Sequence, residues 1–239
     1  MSFYNDHINN RQSDVIMCTS LFPDDHSTPS LLHAQELVKK KVTLYDDYTD
    51  LALVGGVDQA FYKNCIISGI VVMDYESLEI VEEVYHQDIV QYPYIPTFLS
   101  FREGPAIISA FSKLNPKPDI LIVDGCGINH PRCAGLATHV GVALDVPTIG
   151  VAKNILCGEG DEPTLVGEVN PLMFKTHQAG WLIKSCLRCR PIVVAPGHRV
   201  SMKGSLKIIK NMIKGHKLPE PCFFAHNYVN SIKKTIKHN

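Results

Sequence analysis

Two short apolar runs that each close on an aspartate constrain this chain more than any other feature. LALVGGVD (51–58) ends in two glycines, a valine and Asp58, and DILIVDG (119–125) places four aliphatic residues before Asp124. ILIV is too short for a helix and has no polar alternation, so it reads as a strand buried on both faces. A carboxylate at the end of such a strand is expensive to desolvate unless it is paired or metal-bound. For Asp58 alone, a strand-terminating polar residue is the commoner reading. Asp124 repeats the arrangement, and if the two strands are sheet neighbours both carboxylates converge at one edge.

The surrounding sequence supports such a sheet. IISGIVVMD and the alternating SLEIVEEVYHQD follow the first run, so 51–89 reads as an antiparallel meander. FLSFREGPAIISAFSKL has helical length, but Gly104-Pro105 predicts a kink or a new start after Glu103. HPRCAGLATHVGVAL reads as an amphipathic helix and PTIGVA as a buried strand. TLVGEV, GWLIKS and PIVVAPG read as short strands, SMKGSLKIIKNMI and 223–236 as helices. The stretch 155–180 is the least readable. Strands first, then helices alternating with buried strands, predict an α/β fold, a mixed sheet flanked by helices. Residues 1–30 are polar and read as a loose N-terminal extension, with a single catalytic domain over 31–239.

Charge is distributed unevenly. Residues 184–239 hold 12 of the 23 Lys and Arg and one acid, Glu220, giving +11 against −12 for the remainder. A basic segment attracts a polyphosphate partner, although a solvated helix face explains charge alone equally well. No apolar run approaches the roughly 18 residues of a membrane span. MSFYNDHINNRQSD lacks the basic start and apolar stretch of a secretory signal, so a cytoplasmic or nuclear location, no membrane contact and a monomer are expected. The eight cysteines are then expected as reduced thiols, including Cys186 and Cys189 of the lone CLRC.

Two converging carboxylates need a cation, or one of them must take up a proton. Hard oxygen ligands without a His/Cys cage suit Mg²⁺. Glu103, on the helix after the meander, is a third acid, although alone it reads as a solvated helix residue. Acids on a first strand, a first helix and a later buried strand form the pattern of the RNase H-like fold and point to metal-assisted phosphodiester hydrolysis. Lys153, after PTIGVA, could reach a phosphate or remain in solvent. His130 could meet phosphate at a helix N-terminus or cap a turn. His226 alone reads as structural. Tyr94, in the stiff PYIP turn, is suited to wedging between bases, though without context it reads as a packed loop aromatic.

Together, VGGVDQAF, YPYIPTFLSFREGP, DILIVDGCGINHPRCAGLATHVGVALDVPTIGVAKN and PIVVAPGHRVS strongly resemble the endonuclease V family over roughly residues 45–230. The resemblance implies an RNase H-like fold and Mg²⁺, for which Mn²⁺ can substitute. It further implies hydrolysis of the second phosphodiester 3′ to inosine in single-stranded RNA or DNA, leaving 3′-hydroxyl and 5′-phosphate ends. It casts Asp58 and Asp124 as direct metal ligands and Glu103 as a ligand through water. His226 falls near the metal and Lys153 near the scissile phosphate. Tyr94, with Ile95 and Pro96, matches a strand-separating wedge. Leu99, Gly125, Gly135, Leu136 and Ala152 fall at the base pocket, where small residues and backbone groups can read a flipped hypoxanthine. Thr97 stands where the resemblance leads one to expect glycine, at the rim of the base pocket; a backbone contact there survives if threonine can adopt the required φ, and a glycine-only conformation would not.

The set Asp58, Glu103, Asp124 and Lys153 argues against a non-catalytic nucleic-acid binder. A nuclease acting more broadly, on flaps, mismatches or abasic sites, is the other alternative. Bacterial relatives are regarded as DNA repair enzymes and eukaryotic ones as inosine ribonucleases. The polar N-terminus and the cysteines lean toward the latter.

Overall fold

Three central parallel strands, apolar on both faces over most of their length, organise the molecule. The structure is a computed structural model and describes residues 20–238. Strands β1 (Leu53–Tyr62), β2 (Cys65–Asp74) and β3 (Ile80–Ile89) form the expected antiparallel meander. After helix α2 (Leu99–Ser112), β4 (Ile120–Asp124) pairs parallel to β1. After α3 (Leu136–Leu144), β5 (Thr148–Ala152) pairs parallel to β4. Strands β6 (Val169–Phe174), β7 (His177–Ile183) and β8 (Ile192–His198) extend the sheet antiparallel, in the order β3-β2-β1-β4-β5-β8-β7-β6. Helix α1 (Thr28–Lys41) precedes the sheet, and α4 (Met202–Met212) and α5 (Glu220–His238) follow it.

The two faces of the sheet bury different partners. Val54, Ile120, Ile122, Ile149 and Val151 face α4 and α5, meeting Ile208, Ile209, Cys222 and Ala225. Val57, Ile70, Leu121 and Val123 face α2 and α3, meeting Ile107, Phe111, Ala137 and Val140. Successive strand residues point to opposite faces. The period-2 pattern therefore sends Asp58, Asp124 and Lys153 toward the α5 side.

Several expectations need correction. Asp58 does not end its strand; it is the sixth of ten residues in β1, which runs on to Tyr62 because β2 continues beside it in a hairpin. Gly104-Pro105 does not break α2, which is continuous. Pro105 lies on the exposed face, whereas Phe101, Ala106, Ile107, Ala110 and Phe111 are buried, and that burial holds the helix together. TLVGEV is a turn rather than a strand. Glu168 accepts from the backbone N–H groups of Thr164 and Leu165, and Gly167 has φ 89°. Cys186 and Cys189 are not free thiols but a disulfide across a tight turn, with Cα atoms 5.5 Å apart.

The reading of 1–30 as a loose extension also changes. Residues 1–19 lie outside the described residues, but Leu21 and Leu31 are fully buried. The domain boundary placed at residue 31 falls within α1, which Ser27 caps by accepting from the Ser30 N–H. His139 donates from Nε2 to the Leu21 carbonyl at 2.8 Å, and Phe22 packs against both His139 and Phe101. The apolar pair Leu21-Phe22 anchors a segment whose average composition is polar.

Candidate active site

The absence of two side chains brings the distant acids under one helix. A Cβ on Gly56 would lie 2.0 Å from the Pro221 carbonyl carbon, and one on Gly69 would lie 2.4 Å from Val229 Cγ1. Glycine at these positions lets the α5 backbone rest directly on β1 and the Val229 side chain rest on β2. Two residues beyond Gly56 on the same strand face, Asp58 meets that helix. Its Oδ2 lies 2.6 Å from His226 Nδ1, and its Oδ1 accepts from the Gln59 N–H at 2.8 Å. A carboxylate only accepts, so Nδ1 carries the hydrogen. Asn230 Nδ2, 3.2 Å from Nε2, donates to the other side of the ring.

Asp124 reaches the same place from the end of β4. Val57 and Val123 are register partners, so the two aspartates follow side by side. Lys153, one residue past β5, donates from Nζ to Asp124 Oδ2 at 2.5 Å. From α2, across the sheet edge, comes Glu103, which is 8% exposed. Burial, then the Asp124 and Asp58 charges, push its carboxyl up to about 8. Burial and the Asp58 charge likewise push Asp124 up to about 6, against the opposing pull of Lys153. Burial disfavours the charged lysine, but Asp124 outweighs it and the Lys153 pKa is raised.

Among the described residues, no three His, Cys, Asp or Glu side chains are gathered tightly enough to form a ready-made metal cage. Mg²⁺ does not require one, since it commonly takes one or two carboxylates and completes its shell with water and phosphate oxygens. Two neighbouring aspartates under mutual repulsion, with Glu103 beside them raised to about 8 first by burial and then by their charges, are a donor set that a hard divalent cation would relieve.

Beside this acid group opens a cavity of about 400 Å³, walled on one side by Asp124 and Lys153. That is within the roughly 300–1,000 Å³ of small-molecule pockets. Of the residues singled out from the sequence, Tyr94, Leu99, Gly125, His130, Gly135, Leu136 and Ala152 line it, whereas Ile95 and Pro96 do not. A Cβ on Gly135 would lie 2.3 Å from the Cys126 carbonyl oxygen, so the 125–135 loop packs backbone on backbone at the cavity floor. Tyr94 is 64% exposed at the mouth. The base of its loop is fixed where Arg102 Nη1 donates to the carbonyl of buried Tyr92 at 3.0 Å.

His130 is placed for holding the loop rather than for meeting solvent. Its Nδ1 accepts from the N–H groups of Arg132 and Ala134, and its Nε2 donates to the Thr97 carbonyl at 3.0 Å. Burial, aided by Arg132, lowers its pKa to about 4, so the ring is neutral. Sequence reasoning passed over Ser100, Cys126, Ala134, Asn154, Ile155 and Leu156, which also line the cavity. The apolar pair Ile155-Leu156, two residues after Lys153 and beyond the end of its strand, was the sequence signal available, and both prove exposed.

A sequence profile of endonuclease V matches residues 36–227. The chain belongs to the endonuclease V family. Solved members of the family superpose on nearly the whole of it. Endonuclease V of Bacillus subtilis is 26% identical, with a TM-score of 0.86 over 92% of this chain and 98% of that one. The catalytic domain of human endonuclease V is 27% identical, with a TM-score of 0.79 over 85% and 94%. Ciona intestinalis endonuclease V, crystallised with a 24mer DNA containing an inosine followed by a ribo-adenosine, is 25% identical, with a TM-score of 0.74 over 84% and 95%. As an endonuclease V family member the chain is a nuclease with the RNase H-like fold that the order of its acids predicted. No helix among the described residues is long and apolar enough to cross a membrane.

Proposed function

We propose that this protein is a Mg²⁺-dependent endonuclease directed to inosine. The carrying observation is that Asp124 and Lys153 form a shared wall between a buried acid group and a cavity large enough for a purine. The Ciona relative's inosine-containing DNA supports the same substrate here. Single-stranded RNA or DNA is the substrate class, cut at the second phosphodiester 3′ to inosine to leave 3′-hydroxyl and 5′-phosphate ends.

Asp58 and Asp124 would hold Mg²⁺, or Mn²⁺ in its place, with Glu103 acting through a water. When bound, the ion supplies the positive charge that lowers the pKa of water and steadies the leaving oxygen. The remaining work falls to the chain's own groups. His226 fixes the Asp58 carboxylate through Nδ1–H and is itself oriented by Asn230. Lys153, held charged beside Asp124, stands where a scissile phosphate would pass between acids and cavity. The cavity takes the extruded base, and Tyr94 at its mouth covers the gap left in the stack.

Inosine- and adenosine-containing oligonucleotides, in RNA and DNA, with Mg²⁺ or with EDTA, test the reading. Cleavage confined to inosine with Mg²⁺ is expected, and its loss in Asp58→Ala and Asp124→Ala with retained binding. Equal cutting of mismatches, flaps or abasic sites would favour the broader nuclease. Full activity in EDTA would overturn the metal role.

A further inference from the structure

At the lip of the cavity a threonine occupies a backbone conformation usually left to glycine. Thr97 has φ 69°, sparsely populated for any β-branched residue and kept only where surroundings over-determine it. Three side chains do so by converging on one atom. Gln35 Nε2 donates to the Thr97 carbonyl at 2.7 Å, His130 Nε2 at 3.0 Å and Arg132 Nη2 at 3.0 Å. Arg132 also grips the side chain, with Nη2 2.6 Å from Thr97 Oγ1, while its Nε donates to Gln35 Oε1. Gln35 is fully buried, and the Arg132 guanidinium lies over the Phe98 ring.

A carbonyl oxygen has two lone pairs, and three donors saturate it. We propose that Gln35, His130 and Arg132 set base selectivity by consuming the Thr97 carbonyl, so that this oxygen at the cavity lip is withheld from a purine amino group. Hypoxanthine carries no exocyclic amine and loses nothing at such a lip. Adenine and guanine each bring an N–H₂ that must leave water, and that oxygen gives it no partner. The three are positioning residues: Gln35 and Arg132 do not line the cavity and act through Thr97. This inference rests on the reading that the cavity receives the base.

The test is kcat/KM on single-stranded RNA containing inosine or adenosine at one site, for wild type, the double variant Gln35→Leu/Arg132→Met and Thr97→Ser. Methionine keeps the unbranched apolar stem of Arg132 and removes every donor, both the Nη2 that meets the two Thr97 oxygens and the Nε that meets Gln35 Oε1. With three donors on two lone pairs, either single variant leaves the carbonyl filled, whereas the double variant frees one lone pair, and the inosine-to-adenosine ratio is expected to fall about tenfold as adenosine cleavage rises. Thr97→Ser keeps the hydroxyl and is expected to hold the ratio within about twofold of wild type. If the Gln35→Leu/Arg132→Met variant does not fold, Gln35→Met/Arg132→Met, which removes the same two donors with less loss of volume, carries the same expectation. Double variants that slow both substrates in equal proportion, leaving the ratio unchanged, would show a merely structural network and overturn the proposal. A wild type that cuts adenosine as readily as inosine would instead overturn the base-cavity reading itself.

Discussion

His226 Nδ1 stands 2.6 Å from Asp58 Oδ2, although 168 positions separate them in the chain. The contact exists because Gly56 lets α5 sit on β1, and it leaves Asp58 one hydrogen-bonded orientation. Groups that orient a metal-binding carboxylate are commonly worth about 10–100-fold in metal affinity or activity. His226→Ala is therefore expected to lower kcat by about that factor and to raise the Mg²⁺ concentration for half-maximal activity. A Mg²⁺ titration at saturating inosine substrate measures both.

Lys153 holds the counter-charge to Asp124. In Lys153→Met the carboxyl loses that pull, and its pKa rises beyond the about 6 found with lysine present. Mg²⁺ binding requires the ionised form, so affinity is expected to drop more at pH 6 than at pH 8. Loss of a charged group at the reacting phosphate should lower kcat by roughly 10²–10³-fold at any pH. Calorimetric Mg²⁺ titrations at the two pH values, alongside single-turnover cleavage, separate the two effects.

The acid group makes the metal-free protein sensitive to alkaline pH. Glu103 is raised from an ordinary 4.5 to about 8 and Asp124 from 3.8 to about 6, so the folded chain binds more protons than the unfolded one between those values. Their contribution to stability is complete below the unfolded pKa values and is lost as pH rises through about 6 and then about 8. Glu103→Gln, which cannot ionise, is expected to melt higher than wild type at pH 8 without metal. A rise of at least about 2 °C is expected, the response of a chain this size to roughly 1 kcal/mol. The gap should close at pH 5, and Mg²⁺ should raise the wild-type Tm most at pH 8. Thermal melts with and without EDTA check the sign.

Tyr94 projects from a stiffened loop and packs against little. Tyr94→Ala is expected to leave the Tm nearly unchanged and to weaken cleavage of duplex inosine substrates more than single-stranded ones. Stacking on an aromatic is worth about 1–3 kcal/mol per base, which bounds the duplex loss at roughly 5–150-fold. Equal losses on both substrates would remove the wedge role.

Much of this molecule is legible in its residues. ILIVD before Gly125, the alternation of 80–89 and the glycine pair before Asp58 each report a local requirement: burial on two faces, burial on one, or a close backbone approach. For the cavity lining it was the resemblance to the endonuclease V family, and not spacing alone, that pointed to Leu99, Gly125, Gly135, Leu136 and Ala152. The failures came where a local rule was overruled at a distance. Pro105 was tolerated because the buried face of α2 outweighed one missing hydrogen bond. Asp58 became an internal strand residue because β2 continued beside it. Leu21 and Phe22 were hidden by a polar average, since composition does not show which two residues find the core.

By itself, then, the sequence determined which residues are acidic, apolar or small, and hence the strands, the helices and the chemistry available to them. Only the tertiary structure decided that Glu103 is driven toward neutrality, that His226 serves Asp58, and that Gln35, His130 and Arg132 close on one carbonyl. Those outcomes depend on burial and on separations of a few ångströms between segments far apart in the chain. Electrostatics and hydrogen bonding vary steeply over that distance, and no local pattern of residues encodes it.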